Sequence, residues 1–142
     1  MTAKEELTKY KYLSKRADFI LKKKEEILVK ATKMTPTLSD TVAKTNTISD
    51  KVGDGVAKLE ELERIYIKLY FDAEMKCVEL LDKINQLEEP HSSLLRERYL
   101  DITPDNKLKS FEEVAVAIGY SYSQTTTLHG EALEIYEKKF LS

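Results

Sequence analysis

Uncharged hydrogen-bonding side chains gather near the end of the chain, in Ser121–Thr127, whose sequence is SYSQTTT. These side chains donate and accept hydrogen bonds but supply neither a strong base nor a metal ligand. As helix formers the threonines cost up to about 0.7 kcal/mol per residue relative to alanine. A helix that only faced water would more naturally carry Glu, Lys and Gln. The stretch therefore predicts a surface that hydrogen-bonds a ligand, if a helix presents it.

Catalytic and metal-binding patterns are missing from the sequence. The two histidines, His91 and His129, have no partner at metal-ligand spacing. We expect His91 beside a helix cap and His129 on a helix surface. The acidic residues form no fixed pair for acid/base catalysis, and Gly53 and Gly55 do not form a phosphate-binding loop. We expect no enzyme activity, no metal and no cofactor.

The composition favours an all-α fold. The 142 residues are 42% apolar and 34% charged, with four glycines, three prolines and a net charge of −2, which suits long solvated helices. The single cysteine, Cys77, predicts a reducing compartment and a small buried side chain. No apolar run approaches the roughly 20 residues that span a bilayer. We expect a cytoplasmic protein without a membrane partner.

Two long helices are predicted, at about 4–33 and 55–88. Pro36 should end the first helix, and the polar segment 35–55 should be an ordered connection between the two. Their apolar residues alternate in steps of three and four, as in helices that pack lengthwise. The pattern predicts a coiled-coil-like antiparallel hairpin over 1–89 that self-associates. The two stripes are Tyr10, Leu13, Ala17, Ile20, Ile27, Ala31 and Met34, and Leu59, Leu62, Tyr66, Leu69, Ala73, Cys77, Leu80, Ile84 and Leu87.

A second domain is predicted over 90–142, beginning after Pro90 with the helix SLLRERYLD, capped by Ser92 or Ser93. Ser110 with Glu113, and Ser121 with Gln124, have the spacing of capping boxes. Gly119 should end the helix between them in a left-handed conformation. Two helices joined by so short a turn form a helix-turn-helix.

The last helix should bury one face and expose the other. The predicted inward stripe is Thr125, Leu128, Ala132 and Ile135, with the Thr125 hydroxyl bonded to a carbonyl one turn earlier. The outward face then carries Ser123, Thr126, Thr127, Gly130 and Glu134, flanked by Tyr122. Short polar side chains near a helix N-terminus reach phosphates and base edges in a DNA major groove, and a threonine methyl packs against the thymine methyl. The pattern therefore predicts double-stranded DNA as the ligand.

The segment SFEEVAVAIGYSYSQTTTLHGEALEIY resembles the promoter-recognising C-terminal helix-turn-helix of sigma factors, and LLRERYLD resembles the helix before it. Together with TKMTPTLSD and SDKVGDGVAKLEELE, the chain resembles the ArpU/RinA-like regulators of phage late genes. The resemblance implies activation of late transcription in the bacterial host cytoplasm, with promoter binding and recruitment of RNA polymerase. It implies base contacts from Tyr122, Ser123, Gln124, Thr126 and Thr127, and phosphate contacts from Arg96, Arg98, Lys107, Lys109, Ser110 and Ser121.

One departure from sigma factors concerns charge. Sigma factors carry several arginines on the recognition helix, whereas this chain has none between Gly119 and Ser142. Fewer cations release fewer counterions on binding, so the affinity of a monomer should be low and a dimer or larger oligomer is favoured. Two alternatives stay open: an adaptor or antirepressor that acts through its long helices, and a phage small terminase subunit. Activation and repression are not distinguished.

Overall fold

The computed structural model describes the backbone of residues 1–38 and 45–142, and the side chains of 1–32 and 53–142. Helices account for 81% of the structure, and the described residues form no strand. The predicted all-α class is confirmed. None of the helices in the described part of the chain is long and apolar enough to cross a membrane.

The N-terminal region begins with a short helix, α1 (Ala3–Leu7), followed by the long helix α2 (Lys9–Leu38). Thr2 and Glu5 form a capping box that starts α1, so helical structure begins close to the predicted residue 4. Pro36 was predicted to end α2, but the helix continues to Leu38. The proline therefore does not end the helix.

The second long helix, α3, spans Thr45–Ile84. The predicted start near residue 55 was wrong, because most of the polar segment between the long helices is helical. Propensity is a weak constraint here: threonine, asparagine and glycine cost about 0.7–1 kcal/mol each relative to alanine, and a nucleated helix extends easily. The part of the predicted connection at 39–44, with the side chains of 33–52, lies outside the described residues.

Five shorter helical segments follow. The helix α4 (His91–Leu95) continues into a π-helical turn (Arg96–Leu100), and α5 (Phe111–Ile118) leads to α6 (Tyr122–Tyr136), which ends in a second π-helical turn (Glu137–Leu141). The predicted cap of α4 at Ser92 or Ser93 was wrong, because Pro90 occupies the N-cap position. Instead, the Glu89 carboxylate accepts hydrogen bonds from the Ser93 N–H, at 3.2 Å, and from the Ser93 hydroxyl.

Two compact units make up the structure: the terminal unit (Met1–Lys15 with Phe71–Ser142) and the middle unit (Arg16–Tyr70). This division differs from the predicted one at residue 90, because the outer ends of both long helices belong with the short helices. The core of the terminal unit is apolar, and its buried members are Ala3, Leu7, Leu80, Ile84, Leu87, Leu94, Leu95, Tyr99, Val114, Ala132 and Tyr136.

The middle unit contains parts of α2 and α3. Most of its predicted stripe residues are shielded from water, since Ala17 is buried and Ile20, Ile27, Leu59, Leu62, Tyr66 and Leu69 are half-buried. Ala31 is exposed, contrary to the prediction. An ion pair joins Lys24 Nζ to Glu63 Oε1 at 3.7 Å. In the terminal unit Cys77 is half-buried rather than fully buried, and burial together with the charge of Glu74 raises the pKa of its thiol.

Candidate nucleic-acid interface

Local hydrogen bonds set the start of α5 and of α6. The Ser110 hydroxyl accepts from the Glu113 N–H at 3.2 Å, which confirms the predicted cap. The Ser121 hydroxyl accepts from the Gln124 N–H at 3.1 Å, and the Ser121 N–H donates to Gln124 Oε1 at 3.2 Å, as in a complete capping box. Gly119 lies between the helices with φ of 79°, in the left-handed region, as predicted.

The Ser110 cap is only half of the predicted box. Glu113 Oε1 accepts from the Ser110 hydroxyl at 3.3 Å, whereas in a complete capping box the Glu113 carboxylate would accept from the Ser110 N–H. In the second box the Ser121 hydroxyl also donates to Gln124 Oε1, at 3.1 Å. The hydroxyls of both serines, which are predicted phosphate contacts, are therefore engaged in capping, and so is the carbonyl oxygen of Gln124.

The buried face of α6 differs from the predicted stripe at its far end. Thr125 and Ala132 are fully buried and Leu128 is half-buried, as expected, but Ile135 is 39% exposed. Tyr136 is fully buried in its place. The spacing of four from Ala132 replaces the predicted spacing of three, because the Tyr136 hydroxyl finds a buried acceptor in Glu6 at 2.6 Å.

The predicted base-contacting residues share the opposite face. Tyr122 is 55% exposed, Ser123, Gln124 and Thr127 are also exposed, and Thr126 is half-buried. The hydroxyls of Thr126 and Thr127 donate to the Ser123 carbonyl, at 2.9 and 3.1 Å. The donor hydrogens of both threonines are therefore used within the helix. What they offer a ligand is a methyl group and the oxygen lone pairs.

The hydroxyl of Thr125 behaves differently from its neighbours. It is buried and has no hydrogen-bond partner in the structure, so the prediction that it bonds back to a carbonyl was wrong. The two threonines that follow make that bond instead. A buried, unpaired hydroxyl has lost its water without compensation, which costs about 1–3 kcal/mol.

The predicted phosphate contacts from arginine are already paired within the protein. Arg96 lies 3.3 Å from Glu89 Oε1 and donates to Asn85 at 3.3 Å and to Ser93 at 3.0 Å. Arg98 donates to the carbonyl of Lys109 and stacks on the Phe111 ring, with its guanidinium carbon 4.2 Å from the ring centroid. Arg98 is thus anchored between elements of the domain, unlike a side chain that extends freely to a phosphate.

The two predicted lysine contacts also have acidic partners. Lys109 Nζ lies 2.8 Å from Glu97 Oε2 and 2.6 Å from Asp101 Oδ2. The hydrogen bond to Lys109 lowers the pKa of Asp101, and the bonds to Asp101 and Glu97 raise the pKa of Lys109. Lys107 lies 3.5 Å from Asp105, and its side chain is 77% exposed. Among the predicted cations, Lys107 is the one most open to a ligand.

A neutral aromatic cluster holds the middle of α6. The fully buried Tyr99 hydroxyl lies 2.7 Å from His129 Nε2, and the Phe111 ring meets the His129 ring edge-on at 4.8 Å between centroids. The predicted surface position of His129 was wrong, since the side chain is half-buried. Burial, assisted by the charge of Arg98, lowers its pKa to about 4. The imidazole is therefore neutral at pH 7 and can accept the hydrogen bond from Tyr99.

A charged cluster holds the end of α6. Glu6, on α1, is buried, and its carboxylate lies 3.1 Å from Lys83 Nζ and 2.6 Å from the Tyr136 hydroxyl. Burial alone would raise the pKa of Glu6, but the hydrogen bonds from Tyr136 and Lys83 outweigh it, so the pKa is lowered. Burial and the bond to Glu6 raise the pKa of Tyr136. Sequence reasoning missed both clusters, although Tyr99 follows Leu95 at a helical spacing that could have placed it in the core.

The remaining histidine lies where the sequence placed it. His91 is the first residue of α4, next to the Pro90 cap, and its Nε2 lies 3.2 Å from Glu131 Oε2 on α6. The part of the chain whose side chains are described contains no group of three His, Cys, Asp or Glu residues that could hold a metal.

Comparison with known proteins finds no match: no protein-family model, curated protein or solved structure is significantly similar to the chain. The resemblance to phage late-gene regulators therefore stays a prediction, carried by the motifs quoted above.

Proposed function

We propose that the chain is a DNA-binding transcriptional regulator that presents the N-terminal half of α6 to the major groove of double-stranded DNA. The observation that supports this proposal is the exposed face of α6. There Tyr122, Ser123, Gln124 and Thr127 lie on a helix whose start is set by a capping box. A rigid helix with short polar side chains near its N-terminus suits base contact. The resemblance adds activation of phage late genes and recruitment of RNA polymerase in the bacterial cytoplasm.

The hydrogen bonds within α6 narrow the kind of base that the threonines would contact. Because both hydroxyl hydrogens already go to the Ser123 carbonyl, Thr126 and Thr127 would act as acceptors or through their methyl groups. The matching groups in the major groove are the amino groups of cytosine and adenine and the methyl group of thymine. Guanine, which presents only acceptors there, should be disfavoured opposite these two residues.

The electrostatic contribution to binding should be small. From His91 onward the chain has six basic and eight acidic residues, and Arg96 and Lys109 are in ion pairs. To neutralise a DNA phosphate, Arg96 or Lys109 must leave its acidic partner or contact both groups at once. We therefore propose that the regulator binds as a dimer or larger oligomer, which doubles the contacts that one domain makes.

The first experiment selects bound fragments from randomised DNA and measures affinity for the selected sequence. Replacing Thr126 and Thr127 with alanine should leave the fold intact and weaken specific binding by about 1–3 kcal/mol for each base contact that the substitution removes. The matched control is Thr32→Ala, an exposed helical threonine on α2 whose hydroxyl also bonds to a carbonyl, that of Leu28 at 2.9 Å. Specific binding by the double variant at parental strength would refute base contact by these threonines.

A second measurement tests the phosphate contacts. Lys107→Ala should weaken binding to all sequences and reduce the slope of log affinity against log salt by about 0.9. Lys138→Ala, which removes an exposed lysine outside the predicted interface, should leave the slope unchanged. A slope unaffected by Lys107→Ala would remove this residue from the interface.

The paired cations favour one alternative, the adaptor or antirepressor. Arg96, Lys107 and Lys109 each have an acidic partner, and a surface with so little free positive charge is suited to contact with another protein. If the full chain binds none of the randomised fragments even at low salt, where phosphate contacts are strongest, the regulator proposal fails and the adaptor proposal replaces it.

A further inference from the structure

An exposed apolar ridge runs along the C-terminal part of α3 in the terminal unit. Phe71, Met75 and Val78 are 61%, 51% and 58% exposed. Their spacing of four and three places them on one face of the helix. Single exposed apolar residues are common, but a row of three large ones is typical of a contact surface.

Acidic side chains border this ridge. Glu74 follows Phe71 by three positions and precedes Val78 by four, and Asp82 follows Val78 by four, so both carboxylates lie on the same face as the ridge. Both side chains belong to exposed residues. The apolar ridge with its two acidic neighbours predicts a partner that is apolar at its centre and basic at its edges.

The same unit carries a surface of that description at the start of α2. Tyr12 is 55% exposed, and Lys11 Nζ lies 4.8 Å from the centroid of its ring. Lys9 and Lys15, three positions before and after Tyr12, share its face, and Lys15 is exposed. The lysines give this aromatic surface a positive border.

We propose that a second copy of the chain covers the ridge, with the Tyr12 surface of each copy on the Phe71–Val78 ridge of the other. Charge complementarity favours this occupant, since the acidic residues beside the ridge match the lysines around Tyr12. Each copy carries both surfaces, so two copies can supply both sides of the contact. In a two-fold dimer the contact forms twice, as closed symmetry requires. The proposal rests on the self-association that the proposed function includes, but not on DNA binding.

The first test compares two valine substitutions in the full chain by light scattering and analytical ultracentrifugation. Val78→Ser removes a ridge side chain, whereas Val116→Ser removes a valine on α5 that is 84% exposed and lies outside the ridge. Val78→Ser should raise the dissociation constant of the dimer roughly tenfold or more, because the dimer then buries two fewer apolar side chains. Val116→Ser should leave it unchanged, and equal effects from the two would overturn the proposal.

The second test exchanges charges and identifies the occupant. Glu74→Lys and Lys15→Glu should each weaken the dimer, since each places like charges together at the contact. The double variant should recover parental association, and 1 M salt should reduce the loss of association in both single variants. Circular dichroism of each variant checks that the helices are retained. A double variant that associates no better than the weaker single variant would overturn the pairing of these two surfaces.

The outcomes separate this inference from the proposed function. A parent chain that is monomeric at high micromolar concentration would overturn both the dimer and this surface. A dimer that Val78→Ser and the charge variants leave unchanged would overturn this surface alone. DNA selection with the parent chain reports on the DNA-binding proposal separately, whatever these variants do to the dimer.

Discussion

The middle and the C-terminal end of α6 are held by clusters that differ in charge. At the C-terminal end, the ionised Glu6 carboxylate receives hydrogen bonds from Lys83 and Tyr136. In the middle of the helix, the neutral ring of His129 pairs with the hydroxyl of Tyr99. Both clusters are shielded from water, yet Glu6 is ionised whereas His129 is neutral.

The difference follows from what each group finds on burial. Glu6 meets an ammonium group and a hydroxyl donor, which together offset the desolvation of its charge, so its pKa is lowered. His129 meets aromatic rings and the like charge of Arg98, so protonation would be unfavourable and its pKa falls to about 4. A buried group thus stays charged only where the fold supplies an opposite charge.

The largest expected effect is a pH dependence that separates the two clusters. His129 titrates near 4 when folded and near its ordinary 6.5 when unfolded, so between these values the unfolded chain binds a proton that the folded chain does not. The free energy of unfolding should therefore fall by roughly 3 kcal/mol as the pH drops from 6.5 to 4. Glu6, whose pKa is lowered from 4.5, should contribute its loss only below about pH 4.5.

Urea denaturation between pH 7 and pH 4 measures this dependence. His129→Gln should remove most of the slope above pH 4.5, because glutamine does not titrate. His91→Gln is the matched control because it removes the other histidine, so equal changes in slope from the two substitutions would contradict a role specific to His129. A parental stability that is constant from pH 6.5 to 5 would contradict a buried neutral His129.

A smaller effect compares the two tyrosines directly. Tyr136→Phe removes a donor from a carboxylate that is buried and charged, which should cost about 2 kcal/mol. Tyr99→Phe removes a donor from a neutral imidazole and should cost about 1 kcal/mol. Both rings are fully buried, so each substitution preserves packing and isolates the hydroxyl. Equal losses in urea denaturation at pH 7 would mean that the charge of Glu6 adds nothing to the bond.

The smallest effect concerns a buried polar group on α6 that belongs to neither cluster. Thr125 is fully buried with an unpaired hydroxyl, so Thr125→Val should stabilise the protein by about 1 kcal/mol. Thr127→Val, at an exposed position where the hydroxyl is bonded, should change stability by less than about 0.5 kcal/mol. A loss of thermal stability in Thr125→Val would show that its hydroxyl is satisfied in solution.

Several features were predictable because they depend on neighbouring residues. The Ser110 cap, the Ser121–Gln124 capping box and the left-handed Gly119 each involve residues within four positions of one another. The helical period likewise predicted the buried positions Thr125 and Ala132. The exposed face of α6 follows from the same period, so most of the candidate base-contacting residues are on the surface as expected.

The errors have two physical sources. The start of α3 at Thr45 rather than near residue 55 reflects the weakness of propensity once a helix has been nucleated. The positions of His129 and Ile135 were wrong because two inward spacings, three and four, fit a helix equally well. The local sequence pattern does not distinguish between these two spacings, because the contacts with the rest of the domain determine which residue is buried.

Neighbouring residues were enough to predict the all-α class, the caps and the turn that define α5 and α6, and the polar face of α6. Which distant groups meet depends instead on the packing of the whole domain. The Tyr136 hydroxyl bonds to a carboxylate 130 residues away, and Tyr99 bonds to His129 across 30 residues. Helical period relates residues three or four apart and carries no information about such separations, which the path of the chain and the packing of its core establish. The same packing pairs Arg96 and Lys109 with acids, and so decides how much positive charge the proposed interface offers to DNA.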